Sequence, residues 1–231
     1  MNYQELREQL KTGDIVLFSG KGRISRWIRW FCSLFGGLKK IKYSHIGMVI
    51  VASKQEVADF IAADKPEFKK LIGQIIDRAD DGINDLIMLF ESTSIRGGFK
   101  GVRLVPLSEV LQTYSGSVTL RQLRPQRPCM DIVALKNFVK GTLGKPYETH
   151  LVELMASAVD IVDWYTKDND TDFFCSELVA AVFKLWRLLP DSVPASEYTP
   201  EDFAFGNKVD YVLRFTIHPA CLSEEIEVKN G

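Results

Sequence analysis

An apolar helix is predicted at residues 172–183, DFFCSELVAAVF, and Pro190 ends it. Cys175 lies where this helix begins. Backbone dipoles and N–H groups at a helix N-terminus favour negative charge, so the position favours the thiolate that a cysteine nucleophile needs. The same N–H groups could stabilise an oxyanion during acyl transfer. A core cysteine without chemistry is the alternative, because free cysteines often act as small apolar residues.

A buried strand is predicted at residues 43–51, YSHIGMVIV, which are rich in β-branched residues. His45 lies at the beginning of this strand, where its imidazole could hold a thiolate and later protonate a leaving group. His150 and His218 lie in polar or terminal stretches and are interpreted as surface residues. A buried, hydrogen-bonded histidine without a catalytic role is the alternative for His45. Its pairing with Cys175 is more informative than either residue alone.

A small antiparallel sheet packed by helices is predicted for the chain, so the fold class is α+β. The connections between strands are mostly too short for parallel crossovers, which favours an antiparallel meander. Besides the strand at 43–51, strands are predicted at 15–18, 86–91, 102–105, 117–123 and 209–217. Besides the helix at Cys175, helices are predicted at 3–11, 23–35, 66–76, 131–143 and 151–165.

One domain is predicted over residues 1–231, with an insertion at about 53–85 between two strands. The chain has 26% charged and 46% hydrophobic residues, a balance typical of one globular domain. Its 29 Lys and Arg against 30 Asp and Glu give a net charge of −1, so no overall field favours nucleic acid as a partner. The four cysteines lie far apart, without zinc-ligand spacing to each other or to histidine. No metal and no cofactor are predicted.

A reducing, cytoplasmic location is the expectation from the sequence. The start, MNYQELREQLKTGD, is polar where a signal peptide needs an apolar stretch, and no run reaches the ~20 apolar residues that span a bilayer. Residues 23–40 combine aromatic and basic side chains and could contact anionic lipid as an interfacial helix. The alternative is that these aromatic side chains are buried in the core.

A resemblance to a known family rests on six segments in a fixed order. They are GDIVLF (13–18), YSHIGMVI (43–50), FESTSIRGGFKGVRLVPL (90–107), GKPY (144–147), FFCSELVAAVF (173–183) and YTPEDF (198–203). Together they resemble the circularly permuted branch of the NlpC-type papain-fold cysteine hydrolases, the YiiX/YebB-like group. The resemblance implies a permuted papain-like fold, in which the histidine precedes the cysteine along the chain, and SHIG and FCSEL are its most specific pieces.

The resemblance also implies three site residues. It implies Cys175 as nucleophile and His45 as base, and it implies Glu91, in FEST, as the third member that orients the imidazole. A glutamate at the end of an apolar run could equally be a surface charge at a strand edge. The long insertion leaves Glu56 and Asp59 as rivals for the third position, because they follow His45 more closely.

Two functions of different classes follow from this sequence. The first is a cysteine hydrolase that cleaves an amide or ester through a thioester acyl-enzyme, acting on a peptide-like substrate or on a lipid acyl group. Tyr43 and Tyr147 adjoin the motifs and are candidate substrate or oxyanion contacts, with packed tyrosines as the alternative. The second function is a catalytically idle papain-like module that serves as a binding or structural component of a larger assembly.

Overall fold

The computed structural model describes residues 1–20, 41–61, 85–93, 101–124, 130–145, 174–215 and 220–228. Several sequence predictions lie outside these ranges: the helices at 23–35, 66–76 and 151–165, the candidate lipid-contacting segment 23–40, Tyr147, His150, His218, Cys32 and Cys129. Of the predicted insertion at 53–85, the described part consists of residues 53–61 and 85.

The described residues contain both helices and strands. The α-helices are Tyr3–Arg7, Lys54–Ile61, Leu107–Thr113, Ile132–Thr142, Cys175–Leu185 (the Cys175 helix) and Lys208–Phe215, and Ala195–Glu197 and Pro200–Phe203 are short 3-10 helices. The strands are β1 (Ile15–Ser19), β2 (His45–Ser53), β3 (Asp85–Thr93), β4 (Gly101–Pro106), β5 (Ser117–Arg121), β6 (Leu123–Arg124), β7 (Cys221–Leu222) and β8 (Ile226–Val228).

Six of these strands form one antiparallel sheet with the order β4-β3-β2-β1-β5-β8. Strands β1 to β4 are neighbours in chain order, as in a meander, whereas β5 joins the free side of β1. Strands β6 and β7 form a separate antiparallel pair. The predicted α+β class, with an antiparallel sheet packed by helices, is confirmed.

The two faces of the sheet are covered by different cores. The Cys175 helix packs on β2 and β3, and alternate residues of β2, such as Ile46 and Met48, share its core. The other face contacts the helices Leu107–Thr113 and Tyr3–Arg7 through residues such as Val49. This alternation follows from the period of two along a strand. The first residue of the Cys175 helix lies near His45, at the beginning of β2.

Gly47 is required by the close packing of β2 on β3. A Cβ at this position would lie 2.7 Å from Leu89 Cδ1 and 3.1 Å from the carbonyl oxygen of Phe90. A larger residue would therefore push the two strands apart. Because His45 lies two residues earlier on the same strand, Gly47 helps to hold it close to β3.

The predicted strand at 209–217 is wrong, because Lys208–Phe215 is a helix. Its buried residues Val209 and Leu213 are four positions apart, as on one face of a helix, while Tyr211 is 60% exposed. The valine, tyrosine and phenylalanine content of this segment is typical of a strand, but the spacing of the buried positions decides the structure. The last strand of the sheet is instead β8, which the sequence analysis did not identify.

Two further helices were not predicted from the sequence. Lys54–Ile61 lies where charged, turn-prone sequence was expected, and Leu107–Thr113 follows directly after Pro106. Each buries residues at helical spacing, Val57 with Phe60 and Leu107 with Val110 and Leu111. Both helices are short, so their sequences contain too few turns for the helical periodicity to predict them.

Arg121 ties the C-terminal segment to β5 from a fully buried position. Its Nη2 donates to both carboxylate oxygens of Asp210 at 2.8 and 2.9 Å, and its Nε donates to the carbonyl oxygen of Ser223 at 2.7 Å. Nη1 donates to the carbonyl oxygen of Phe203, also at 2.7 Å. The guanidinium therefore satisfies groups from three separate segments.

Replacing Arg121 with methionine should lower the free energy of unfolding by about 3–5 kcal/mol, because it leaves the Asp210 carboxylate without its cation. Chemical denaturation followed by circular dichroism measures the change. Arg124→Met is the matched control, since Arg124 is exposed and its loss should cost within about 0.5 kcal/mol. An equal effect of the two substitutions would contradict a structural role for the buried pair.

Candidate active site

Cys175 is the first residue of its helix and is 6% exposed. Phe174 precedes the helix with extended backbone, and its carbonyl oxygen accepts the first intrahelical hydrogen bond from Leu178 N at 3.0 Å. Glu177 turns back so that its Oε2 accepts a hydrogen bond from Phe174 N at 3.2 Å. The backbone N–H groups of Cys175 and Ser176 belong to the first turn, where no carbonyl of the helix can accept from them.

His45 lies between the helix and the sheet. Its Nε2 is 2.6 Å from Glu91 Oε2, and its ring centroid is 5.3 Å from that of Phe18. Cys175 lies close enough to raise the pKa of the imidazole. The side chain remains 18% exposed, so the site opens to solvent at the imidazole.

The charges around His45 favour its protonated form. Burial lowers the pKa of His45, but the negative charge of Cys175, the hydrogen bond to its sulfur and the contact with Glu91 outweigh burial and raise the pKa to about 9. The usual value is about 6.5. At neutral pH the imidazole is therefore protonated, and it lies beside both Cys175 and the Glu91 carboxylate.

Glu91 is fully buried near the end of β3, although it carries a carboxylate. Its Oε2 faces His45, while its Oε1 accepts hydrogen bonds from Arg103 Nε at 2.9 Å and Arg103 Nη2 at 2.6 Å. Glu91 and Arg103 are directly opposite each other in the register of β3 and β4. The two carboxylate oxygens thus have separate partners, one cation on each side.

The rival carboxylates are bound elsewhere. Glu56 Oε2 accepts from Ser53 N at 2.9 Å, and Oε1 forms an ion pair with Lys136, which is the main reason that the pKa of Glu56 is lowered. Asp59 Oδ1 accepts from Gln55 Nε2 at 3.0 Å. The carboxylate that the structure brings to His45 is that of Glu91.

Of the two tyrosines that adjoin the motifs, Tyr43 can be described. It is 1% exposed and belongs to the same core as the Cys175 helix. Its backbone N–H donates to Glu201 Oε2 at 3.0 Å, and Lys42 N donates to the same oxygen at 2.8 Å. This is the position of a packed tyrosine, and a contact of Tyr43 with substrate stays a prediction.

Arg103 is the polar neighbour of the site that the sequence analysis missed. It is the lone charged residue in the strand GVRLVP and alternates there with Val102 and Leu104, which are buried. A cation in an otherwise apolar strand indicates a nearby anionic partner, because a charge removed from water needs one. The identity of that partner depends on the register between β3 and β4, which the sequence does not provide.

Comparison with known proteins reveals a distant structural likeness. No family model matches the chain, and no curated protein matches it either. Among solved structures, the chain is similar to the metalloprotein yiiX from Escherichia coli O157:H7, with 16% sequence identity and a TM-score of 0.45. The alignment covers 96% of this chain and 98% of that one. It is a distant match of overall fold.

No group of three or more His, Cys, Asp or Glu side chains in the described ranges could hold a metal ion. No helix among the described residues is long and apolar enough to cross a membrane.

Proposed function

We propose that this protein is a cysteine hydrolase that cleaves an amide or ester bond through a thioester acyl-enzyme. The observation that carries the proposal is the contact of one imidazole, that of His45, with both the sulfur of Cys175 and the carboxylate of Glu91. We also propose that the fold is a circularly permuted papain-like fold of the YiiX/YebB-like group. The order of His45 before Cys175 and the six sequence segments support that assignment.

The first chemical step forms the acyl-enzyme. The Cys175 sulfur attacks the carbonyl carbon, and the negative charge that develops on oxygen is stabilised by backbone N–H groups at the start of the helix. The imidazolium of His45 then donates its proton to the departing nitrogen or oxygen, and the C–N or C–O bond breaks. A thioester and a neutral imidazole remain.

The second step releases the acyl group. His45, now neutral, takes a proton from water as the water oxygen attacks the thioester carbonyl. The C–S bond breaks, the carboxylic acid leaves, and the thiolate is again paired with an imidazolium. Glu91 accepts the Nε2 hydrogen bond of His45 throughout the cycle and stabilises the imidazolium each time it forms. An alcohol or amine in place of water would make the same site an acyltransferase.

The substrate class is proposed as a peptide-like amide or a lipid acyl group. Candidate lipid contact rests on the aromatic and basic residues of segment 23–40, which would bring the protein to a membrane surface. A free thiol is needed for the first step, so we place the activity in a reducing, cytoplasmic compartment. No nucleic acid is expected as a partner, because the net charge is −1.

The alternative function is an idle module with a binding or structural role. Such a module has no physical need for an imidazolium at the tip of a helix that begins with a cysteine. The buried Glu91 carboxylate also adds a desolvation cost that a purely structural site could avoid with apolar residues. These two features favour the hydrolase.

Labelling with a panel of acyl-type probes tests the proposal. Cys175 is 6% exposed whereas Cys221 is exposed, so accessibility alone would direct a limiting electrophile to Cys221. We expect the label on Cys175 first, because a thiolate paired with His45 is the stronger nucleophile. Mass mapping after brief treatment locates the label, and amide-like and ester-like probes compare leaving groups. Preferential labelling of Cys221, Cys32 or Cys129 would overturn the proposal.

A further inference from the structure

We propose that Arg103 is a positioning residue that keeps the shared proton on His45 rather than on Glu91, an inference that rests on the proposed function. No substrate contact is assigned to Arg103. It acts through the Glu91 carboxylate, which it contacts from the side opposite to the imidazole.

The geometry fixes which carboxylate oxygen faces the imidazole. Arg103 directs two N–H groups, Nε at 2.9 Å and Nη2 at 2.6 Å, to Oε1 of Glu91. A planar guanidinium with two bonds to one oxygen restrains the carboxylate more strongly than a single donor does. Oε2 is thereby left to face His45 Nε2 at 2.6 Å. The pairing of Glu91 with Arg103 in the β3–β4 register supports this arrangement from the backbone.

The electrostatic argument compares two arrangements with the same number of protons. In one, Glu91 is a carboxylate and His45 an imidazolium. In the other, Glu91 is a carboxylic acid and His45 is neutral. The guanidinium touches Glu91, whereas the carboxylate separates it from His45, so its charge stabilises the carboxylate more than it repels the imidazolium. Arg103 therefore favours the charged pair.

Because Glu91 is buried, the charged pair of Glu91 and His45 needs the stabilisation that Arg103 provides. Glu91 is fully buried, and an isolated buried carboxylate tends to take up a proton. Its nearest source of a proton is the imidazolium at 2.6 Å. Without Arg103 the proton would move toward Glu91, and a neutral His45 could neither pair with the Cys175 thiolate nor protonate a leaving group.

Arg103 differs in this respect from Arg121, which is fully buried. Arg121 donates to three backbone carbonyl oxygens as well as to Asp210, so its loss should act on stability. Arg103 directs two hydrogen bonds to Oε1 of Glu91, whose Oε2 contacts His45. Its loss should act on the charge of His45.

The test is a double-mutant cycle of Arg103→Gln and Glu91→Gln in the full chain, read out without substrate. The first readout is the charge of His45 at pH 7, from NMR chemical shifts of the ring labelled with nitrogen-15. The second is the alkylation rate of Cys175 with iodoacetamide. We expect Arg103→Gln to move the proton from His45 to Glu91 in about nine-tenths of the molecules and to slow alkylation about tenfold, because only the remaining tenth would keep the imidazolium beside Cys175. In the Glu91→Gln background, Arg103→Gln should not move His45 toward neutral imidazole, because the carboxylate on which Arg103 acts is gone, and loss of the uncompensated guanidinium should instead favour the imidazolium.

Arg103→Lys is the conservative variant. It restores the positive charge without the fork, so it should return His45 to imidazolium and recover most of the alkylation rate. Lys136→Met is the control for loss of a cation from an ion pair outside the site, and it should leave both readouts unchanged. Circular dichroism verifies that each variant is folded. If Arg103→Gln does not fold, the role of Arg103 is tested by the charge of His45 in Arg103→Lys and in Glu91→Gln. An imidazolium in Arg103→Lys and a neutral ring in Glu91→Gln would support the role, and a neutral ring in Arg103→Lys would contradict it.

The two proposals fail in different ways. A wild-type protein without acyl turnover, but with a cycle that behaves as expected, would remove the hydrolase and keep the role of Arg103. Turnover by the wild type together with an imidazolium in Arg103→Gln would keep the hydrolase and overturn the role of Arg103. Equal effects of Arg103→Gln in both backgrounds would also overturn it, because the residue would then act independently of Glu91.

Discussion

Cys175→Ala should lower kcat for any amide or ester substrate by about 10⁴-fold or more, because no other group can form the thioester. The fold should survive, since the change removes one sulfur atom from a helix end and leaves the capping contact of Glu177 in place. Turnover of a substrate found with the probe panel, together with circular dichroism, measures both effects. This is the largest loss of activity expected from a single substitution.

Cys221→Ala is the matched control for Cys175→Ala. Cys221 is a free, exposed cysteine on β7, away from the residues of the candidate site, and its loss should leave turnover unchanged. Cys175→Ser adds a second comparison, because a hydroxyl has the position of the thiol but is a much weaker nucleophile at the same pH. Retained turnover in both Cys175 variants would mean that the nucleophile lies elsewhere and that the idle-module alternative applies to this site.

The sheet could be predicted closely because its strands follow the simplest rule. Ile15–Ser19 and His45–Ser53 are short apolar runs bounded by turn residues, and the buried positions of β4 alternate with less buried ones. For β1 to β5 the predicted bounds differ from the observed ones by a few residues at most, whereas β8 was not predicted and the strand at 209–217 is a helix. The antiparallel pairing of β3 with β4 follows from the short connection 94–100, whereas the connections 20–44 and 54–84 are long enough for crossovers, so length alone does not predict how β1, β2 and β3 pair. Strand β5 pairs with β1 and not with β4, which no local pattern indicates.

Whether a helix could be predicted depended on how clearly the sequence shows its N-terminus and its helical periodicity. The Cys175 helix and Ile132–Thr142 carry a clear N-terminus, and Asp131 caps the latter by accepting from Ala134 N at 2.8 Å. The composition of Lys208–Phe215 favours a strand, because its β-branched and aromatic residues outweigh the spacing of four between its buried residues. In two turns of helix, only Val209 and Leu213 are fully buried on the core side, which is too few to distinguish the two periods.

The part of the candidate site that depends on residue type and position along the chain could be predicted. Cysteine at a helix start and histidine at a strand start are visible along the chain, and the family resemblance added Glu91. The structure brings these three side chains together. Arg103 was missed because its role arises from a cross-strand pairing, and such pairings depend on three-dimensional register rather than on sequence order.

Glu91→Gln should lower turnover of an amide substrate by about 10²-fold, at the low end of what general acid–base catalysis contributes. The replacement is nearly isosteric, so the fold should be retained, but it removes the negative charge that stabilises the imidazolium. Arg103 then faces a neutral amide, and its uncompensated charge disfavours the imidazolium further. The loss should stay smaller than that of Cys175→Ala, because the nucleophile is still present.

The pH profile distinguishes this explanation from a loss of structure. Burial lowers the pKa of His45, but Cys175 and Glu91 raise it to about 9. The ring is therefore protonated below pH 9 and loses its proton as the pH rises through that value. Amide turnover in the wild type should therefore fall above pH 9, since the leaving nitrogen needs that proton. In Glu91→Gln the fall should begin at lower pH, toward the ordinary value of about 6.5.

The rival carboxylates supply the controls for Glu91→Gln. Glu56→Gln removes an ion pair with Lys136, and Asp59→Asn alters a contact with Gln55, so both should keep wild-type turnover and the same pH profile. Each is an acid-to-amide change in the same region of sequence as the predicted insertion, and each therefore matches Glu91→Gln in chemistry. If Glu56→Gln or Asp59→Asn abolishes hydrolysis while Glu91→Gln does not, the third member of the site lies on the Lys54–Ile61 helix, and the contact of Glu91 with His45 is structural.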